Sequence, residues 1–367
     1  METCIWECVH QDNCQTAVYY HDNHTCLLFG ENCQIGNITS SGNIRASVIC
    51  YRKNQNTYCQ ALVTTMTVAI TMSPEPNWTT TGIMNVARAY HTASMLANGT
   101  ILVAGGWSGG LVFGSYNKIA ELFDPSTGTW TSTGNMKVAR GYHTASMLSN
   151  GTILVTGGWN GIYSLDITEL YDPSTGIWTA TGNMNVARAY HTASLLSNGT
   201  ILVTGGWNGI SSLDSAELYN PSTGIWTSTG NMNVERGYHT ASLLANGTIL
   251  VTGGWTGGLL GGSYTNTAEL FDPSTGIWAA TGNMNVERGY HIASMLSNGK
   301  ILVTGGWNSG GALKSAELYD PLAGTWTATE NMNVERKYHT ASMLANGTIL
   351  VTGGWDGSTS LNTAELY

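Results

Sequence analysis

The pattern of apolar and polar residues repeats along most of the chain, and one copy of it is RGYHTASLLANGTILVTGGW, residues 236–255. An Asn-Gly pair separates two short apolar runs, which is a strong hairpin signal because the type I′ turn needs positive φ at both central positions. The run ILV is apolar without a break, as expected of a strand buried on both faces. The pattern therefore predicts short buried strands joined by tight turns.

The pattern occurs six times, at intervals of 52, 48, 48, 52 and 48 residues between its histidines. After Gly-Gly-Trp, each unit continues with a variable loop, a strand AEL(Y/F), a turn of the type Asp-Pro-Ser-Thr-Gly and a fourth strand that contains Trp. One such unit cannot bury both faces of its sheet alone, so the units must stack radially. The sequence predicts an all-β fold, a six-bladed β-propeller of four-stranded blades.

The Gly-Gly doublet, the E-x-(Y/F)-D-P turn and the spaced tryptophans resemble the Kelch repeat over residues 77–367. The departures are small; for example, Asn220 replaces Asp before Pro221. The last unit stops at AELY without a fourth strand, whereas an extra strand, residues 77–82, precedes the first unit. We expect this strand to complete the sixth blade, 336–367, and so to remove an open sheet edge.

Composition supports strands and excludes some partners. The chain has 46 Gly, only 10% charged residues and a net charge of −9. Its 14 Lys and Arg residues are scattered, so no basic face is expected to bind nucleic acid. The stretch ALVTTMTVAITM, 61–72, is too short and too rich in Thr to span a bilayer, which needs about 20 apolar residues. We expect neither a nucleic-acid partner nor a membrane span in this chain.

All seven cysteines lie in the first sixty residues. A small domain that cannot bury much surface relies on disulfides, which persist in oxidising compartments. We therefore predict a cysteine-rich module at 1–59, a Thr/Pro linker at 60–76 and the propeller at 77–367. The expected location is extracellular or secreted, either as a free protein or as the ectodomain part of a longer protein. METCIWEC lacks the features of a signal peptide, so we expect the start to be truncated.

The segment CIWECVHQDNCQTAVYYHDNHTCLLF, 4–29, resembles a PAN/apple module. That resemblance implies pairing of Cys4 with Cys26 and of Cys8 with Cys14, and binding of proteins or carbohydrates. The pairing of Cys33, Cys50 and Cys59 stays open. The alternative is that the module only spaces or protects the propeller.

Three residue types recur at a fixed position in every unit and look chemical: a histidine, an arginine and a glutamate. A metal ring of histidines and an Arg–Glu acid/base pair are the functional interpretations. Six identical copies favour a structural role instead, because catalytic sites are usually asymmetric, and no carboxylate or cysteine accompanies the histidines in a ligand spacing. We predict buried Arg–Glu ion pairs and histidines that hydrogen-bond backbone. The predicted structural residues are Arg88, His91, Glu121, Arg140, His143, Glu169, Arg188, His191, Glu217, Arg236, His239, Glu269, Arg288, His291, Glu317, Arg336, His339 and Glu365.

Twelve of the thirteen tryptophans form two sixfold sets. The set beginning with Trp78 and Trp130 belongs to the outermost strands and is expected to pack. The other set, which we call the rim tryptophans, opens the variable loops, where indole rings can stack on sugars, anchor a protein or pack between blades. The rim tryptophans are Trp107, Trp159, Trp207, Trp255, Trp307 and Trp355.

Binding usually resides in variable loops on a rigid scaffold. The loops of the first and fourth units, 108–118 and 256–266, are four residues longer than the others and match each other, which indicates duplication of a three-blade block. Tyr116, Tyr163 and Tyr264 differ between units. Together with the rim tryptophans they are the predicted ligand-binding residues.

Three functions compete. The first is a non-enzymatic extracellular protein that binds a protein or glycan, with N-x-T sequons such as Asn23 and Asn37 as glycosylation sites. The second is an oxidase of the galactose oxidase type, whose resemblance implies a copper site with a cysteine cross-linked to a tyrosine. The propeller sequence has no cysteine, so that cofactor cannot form. The third is an intracellular adaptor or actin-binding scaffold, which the disulfide-type cysteines oppose. We expect the first function, with no catalytic residues, cofactor or metal.

Overall fold

The computed structural model describes residues 80–110 and 114–367, together with the backbone of five strands among the first 79 residues. The chain divides into two compact units, Met1–Thr79 and Thr80–Tyr367, and each is described by itself.

The first unit contains two small antiparallel sheets. Ile5–Trp6 pairs with Ala17–Val18 in one, and Asn37–Thr39, Arg45–Lys53 and Asn56–Leu62 form the other. In this second sheet Cys50 lies opposite Cys59. The bridges expected by resemblance, Cys4 to Cys26 and Cys8 to Cys14, lie outside the described residues. These pairings and the PAN/apple assignment stay predictions.

The second unit is a six-bladed β-propeller, as the repeats predict, and its described residues contain strands but no helices. No described helix meets the length and apolarity that a membrane crossing requires. The innermost strands, which contact one another from blade to blade, are Thr92–Met95, Thr144–Met147, Thr192–Leu195, Thr240–Leu243, Ile292–Met295 and Thr340–Met343. The second strands are Ile101–Ala104, Ile153–Thr156, Ile201–Thr204, Ile249–Thr252, Ile301–Thr304 and Ile349–Thr352. The third strands are Ala120–Asp124, Thr168–Asp172, Ala216–Asn220, Ala268–Asp272, Ala316–Asp320 and Ala364–Leu366. The outermost strands are Thr129–Ser132, Ile177–Ala180, Ile225–Ser228, Ile277–Ala280 and Thr325–Ala328.

Each blade is an antiparallel meander with the same register. In the third blade Leu202 pairs with Ser194 on one side and with Leu218 on the other, and Leu218 pairs with Thr227. The Asn-Gly turns join the first and second strands, as predicted, but the expected type I′ geometry is wrong. Only the glycine of each pair has positive φ, and in blade four the N–H of Gly247 donates to the carbonyl of Leu244 in a longer turn. Additional short hairpins extend three of the variable loops: Trp107–Gly109 with Gly114–Tyr116, Trp255–Gly258 with Gly261–Tyr264, and Trp307–Asn308 with Gly311–Ala312.

The core lies between the blades. In the second strand of blade two, Ile153 and Val155 pack against blade one, while Leu154 packs against blade three. All three side chains are fully buried. This explains the unbroken apolar run, since both faces of each sheet are covered by neighbouring sheets.

Among the described residues, the sixth sheet has three strands. Residues 77–79 of the strand expected to complete it, 77–82, lie outside the described residues, and the described residues 80–82 are not part of a strand. Gly82 is described, and its backbone N–H donates to the carbonyl of Gly128, as that of Gly134 does to the carbonyl of Gly176 one blade later. Closure of the ring by 77–82 stays a prediction.

Candidate functional site

Two kinds of connection meet on one face of the propeller, which we call the loop face. One is the variable loop between the second and third strands. The other is the R-x-Y-H segment, which leads into the innermost strand of its blade. Their backbones pair in each blade; the N–H of Ala189 donates to the carbonyl of Trp207, and the N–H of Trp207 donates back. This pairing places every rim tryptophan beside the R-x-Y-H segment of its blade.

A ring of tyrosines, which we call the tyrosine ring, lies at the loop face. Its members have φ of 53° to 59°, a left-handed conformation that is uncommon for residues other than glycine. The N–H of each donates to the carbonyl of the tyrosine one blade earlier, from Tyr142 to Tyr338, at 3.0 to 3.3 Å. Successive ring centroids lie 4.2 to 4.8 Å apart. The tyrosine ring consists of Tyr90, Tyr142, Tyr190, Tyr238, Tyr290 and Tyr338.

Burial affects the titration of several tyrosines of this ring. It raises the pKa of Tyr142, Tyr190 and Tyr290 above the ordinary tyrosine range. Burial, with contributions from Tyr338 and Tyr238, also raises the pKa of Tyr264 to about 12. Tyr142, Tyr190 and Tyr290 therefore offer aromatic faces and neutral hydroxyls, which suit recognition.

The two long loops each add one tyrosine to this surface. Tyr116 lies 5.1 Å from Trp107 and 6.3 Å from Tyr142, measured between ring centroids. Tyr264 has the same relation to its neighbours, at 5.0 Å and 6.4 Å. The structure thus brings Tyr116 and Tyr264 together with rim tryptophans in two equivalent clusters on blades one and four.

The remaining predicted loop residues are arranged differently. Tyr163 is 57% exposed and Trp355 is 36% exposed, whereas the other rim tryptophans are partly buried. Lys337 places its ammonium 3.5 Å from the centroid of the Trp307 ring. Within the described residues, neither Trp159 nor Trp207 stacks on another aromatic ring.

The predicted Arg–Glu pairs are present in all six units, with N–O distances of 2.5 to 2.9 Å. In blade two, Arg140 also donates to the carbonyls of Gly157 and Ile167, and Glu169 accepts the N–H groups of Lys137 and Val138. Each pair therefore fastens the R-x-Y-H connection to the third strand and holds the loop face in place.

Five of the six histidines, all except His91, have a hydrogen bond to a threonine of the preceding blade. His239 Nε2 lies 3.0 Å from Thr192 Oγ1 and 3.1 Å from Thr204 Oγ1, both in the preceding blade. These partners are side-chain hydroxyls rather than the backbone groups that the sequence led us to expect. Burial, then the charge of Arg236, lowers the pKa of His239 to about 3, so its imidazole is neutral at pH 7.

The outermost tryptophans have their own repeated contact. Trp178 Nε1 donates to the carbonyl of Gly134 at 2.7 Å, and Trp226 Nε1 to that of Gly182 at 2.8 Å. Both indoles are buried between blades. The described members of this set therefore pack away from the loop face.

The residues do not assemble a metal site in the part of the chain that the structure describes. There, no group of three or more His, Cys, Asp or Glu side chains is placed to hold a metal ion. A copper centre with a cysteine cross-linked to a tyrosine does not fit the propeller, because no cysteine follows Cys59.

Sequence interpretation missed two features of the loop face, the tyrosine ring and the position of Lys337. The signal for the ring was visible, since Tyr precedes the histidine in all six units. The signal for Lys337 was a single departure, because the other five units have Ala or Gly at that position.

Comparisons with known proteins agree with this architecture. The Kelch motif matches residues 88–137, 140–185, 188–233, 236–285 and 288–333, well over half of the chain. Two curated proteins from Gibberella zeae, both named galactose oxidase, are 37% identical to the chain over 67 residues. That stretch is 18% of this chain and spans only 9% of each relative. With five motif matches in register with the blades, the chain belongs to the Kelch-motif family of repeat proteins.

Proposed function

We propose that this chain is a non-enzymatic recognition protein that binds a protein partner through the loop face of its propeller, outside the cytosol. The observation that carries the proposal is the contrast within each blade. The strands and their ion pairs are nearly invariant from blade to blade, whereas the loops beside the tyrosine ring differ in length and sequence. A rigid scaffold that presents differing loops on one face is suited to binding.

Exposed side chains on the loop face provide the test. Ile162, Tyr163 and Ile210 are 79%, 57% and 67% exposed, respectively. The full chain, secreted from eukaryotic cells, is presented to an array of extracellular proteins. We expect the triple alanine variant at these positions to lose at least tenfold in affinity for any partner found.

A matched control comes from the turn between the third and outermost strands. Leu322 is fully exposed there, and Leu322→Ala removes a similar apolar surface from a different part of blade five. Partners that depend on Leu322 and ignore the three loop residues would contradict the proposal.

A glycan is the alternative ligand, because the rim tryptophans place indole rings at the loop face. A glycan array with the wild type and a Trp107→Ala, Trp255→Ala variant tests this alternative. Binding that the double substitution abolishes would assign the ligand to a sugar, whereas unchanged binding would remove these two tryptophans from the site.

A second candidate function is oxidation of a sugar alcohol, which the short similarity to galactose oxidase favours. The lack of cysteine in the propeller opposes it. The test measures bound copper and hydrogen peroxide production with galactose. Stoichiometric copper with peroxide production would overturn the non-enzymatic proposal.

A further inference from the structure

One blade carries a lysine that lies among aromatic rings of the loop face. The ammonium of Lys337 is 3.5 Å from the centroid of the Trp307 ring and 5.2 and 5.7 Å from those of Tyr338 and Tyr290. All three distances lie within the range of cation–π attraction. The space bounded by a rim tryptophan and the two tyrosines on either side of it, which we call a rim site, therefore accommodates an ammonium group.

The six units repeat this arrangement, but the other five have Ala or Gly at the position of Lys337. That residue is Ala89, Gly141, Ala189, Gly237 or Gly289. Two of the rim sites are filled by the long loops instead. A Cβ atom added at Gly141 would lie 2.7 Å from the Tyr116 ring, and one at Gly289 would lie 3.0 Å from the Tyr264 ring.

The rim sites of blades two and three are not filled in this way. Trp159 and Trp207 open short loops that carry no basic side chain. The aromatic residue in these loops, Tyr163, is 57% exposed and pairs with no described aromatic ring. A Cβ atom added at Gly237 would meet nothing closer than 3.5 Å, so a side chain there has room. These two sites keep the tryptophan and the flanking tyrosines without an internal occupant.

Charge favours a cationic occupant. The three later units have Glu where the first three have Ala, immediately before the conserved arginine: Glu235, Glu287 and Glu335. Glu235 accepts the N–H of Gly257 at 2.8 Å and Glu287 accepts from the Ser309 hydroxyl, so both carboxylates lie beside variable loops. Glu235 lies two residues before Gly237, which borders the Trp207 site, whereas Ala187 stands at the equivalent position beside the Trp159 site. The net charge of −9 attracts positive groups to the molecule as a whole.

We propose that the rim sites at Trp159 and Trp207 bind ammonium groups of a basic segment of the protein partner, and that Lys337 occupies the equivalent site at Trp307 within the chain. This inference rests on the proposed function, since it names the chemistry of the partner at the loop face. Lysine side chains of the partner would then lie against Trp159 and Trp207 as Lys337, from blade six, lies against Trp307 of blade five.

The probe is n-butylammonium chloride, which has the terminal group of a lysine side chain, with n-butanol as the neutral control at equal ionic strength. Indole N–H signals of the full-length chain, labelled with 15N-tryptophan, report binding at each tryptophan. We expect saturable shifts at Trp159 and Trp207 with the cation, no shift with butanol, and a much smaller shift at Trp307.

Variants that copy the natural lysine provide the decisive comparison. Ala189→Lys and Gly237→Lys each place an ammonium at the position equivalent to Lys337. We expect Ala189→Lys to abolish the shift at Trp159 and Gly237→Lys to abolish the shift at Trp207. Thr227→Lys adds the same charge on an exposed outermost strand and should leave both shifts unchanged. Lys337→Ala empties the site at Trp307 and should increase the shift of Trp307 above the small shift in the wild type.

The outcomes separate this inference from the proposed function. Equal shifts with butanol, no shifts, or shifts that persist in the two lysine variants would overturn the ammonium sites. If loop-face variants still weaken a partner in that case, the proposed function stands without them. Cation-specific shifts with no loop-dependent partner would support the rim sites and contradict the proposed function.

Discussion

At the scale of single residues, the most consequential groups are the buried ion pairs. Charged residues make up only 10% of the chain, and six Arg–Glu pairs account for twelve of them. The side chains of Arg140 and Glu169 are fully buried, and both have further hydrogen bonds to backbone. Breaking such a pair leaves an uncompensated buried charge, which is more costly than the net stabilisation that the pair contributes.

The first prediction compares two of these pairs. Glu169→Gln leaves the Arg140 charge uncompensated and should lower the free energy of unfolding by about 3–5 kcal/mol. Glu365→Gln should cost less, because the Glu365 side chain is 14% exposed whereas that of Glu169 is not exposed. Urea denaturation followed by tryptophan fluorescence measures both. A larger loss at Glu365 than at Glu169 would contradict this explanation.

At the scale of structural elements, two glycines with positive φ have different structural roles. Gly247 lies in the Asn-Gly turn of blade four at φ +85°, with open space where a Cβ would be. Gly253 directly follows the second strand of the same blade and has φ +61°, and a Cβ there would lie 2.4 Å from the carbonyl oxygen of Arg288. The first glycine serves the turn alone, whereas the second lets two neighbouring blades approach each other.

The second prediction follows from that difference. Gly247→Ala should cost about 1–2 kcal/mol of stability, the price of left-handed backbone in a non-glycine residue. Gly253→Ala adds a clash with rigid backbone and should cost more than Gly247→Ala. Thermal melts of the two variants, measured side by side, test the order. Equal melting temperatures would show that the blades adjust to the added methyl group.

The strands and their order were predictable from the sequence, whereas the contacts between blades were not. The Asn-Gly turns and the run ILV predict strands and their order because these signals are local and periodic. The contacts of His239 with Thr192 and Thr204 were not predictable in the same way, since they depend on how one blade packs on the next. The cluster of Tyr116 with Trp107 and Tyr142 likewise joins three segments that only the ring brings together. Loop-face chemistry is therefore a property of assembled blades rather than of one repeat.

At the scale of the whole molecule, the histidines couple the stability of the ring to pH. Burial and the neighbouring arginines lower the pKa of His143 and His239 to about 3 and that of His339 to about 4. The pKa values of His191 and His291 are lowered as well. In the unfolded chain a histidine has a pKa of about 6.5. Below that pH the unfolded chain binds more protons than the folded one, so acid favours unfolding.

The third prediction is that the propeller loses stability steeply as the pH falls below about 6.5. The contribution of each buried histidine is fully present above that pH and decreases by about 1.4 kcal/mol per pH unit until its folded-state pKa is reached. Lowered pKa values of Glu121 and Glu365 add to the loss at lower pH. Urea denaturation at several pH values between 8 and 4 measures the slope.

His239→Gln, compared with His91→Gln, isolates the cause of this slope. His239 is buried between blades, whereas His91 is only partly buried, so fewer contacts exclude its charged form. Because glutamine does not titrate, His239→Gln should flatten the slope by about 1.4 kcal/mol per pH unit, and over a wider pH range than His91→Gln does. If both variants keep the slope of the wild type, the acid sensitivity of the ring has another origin.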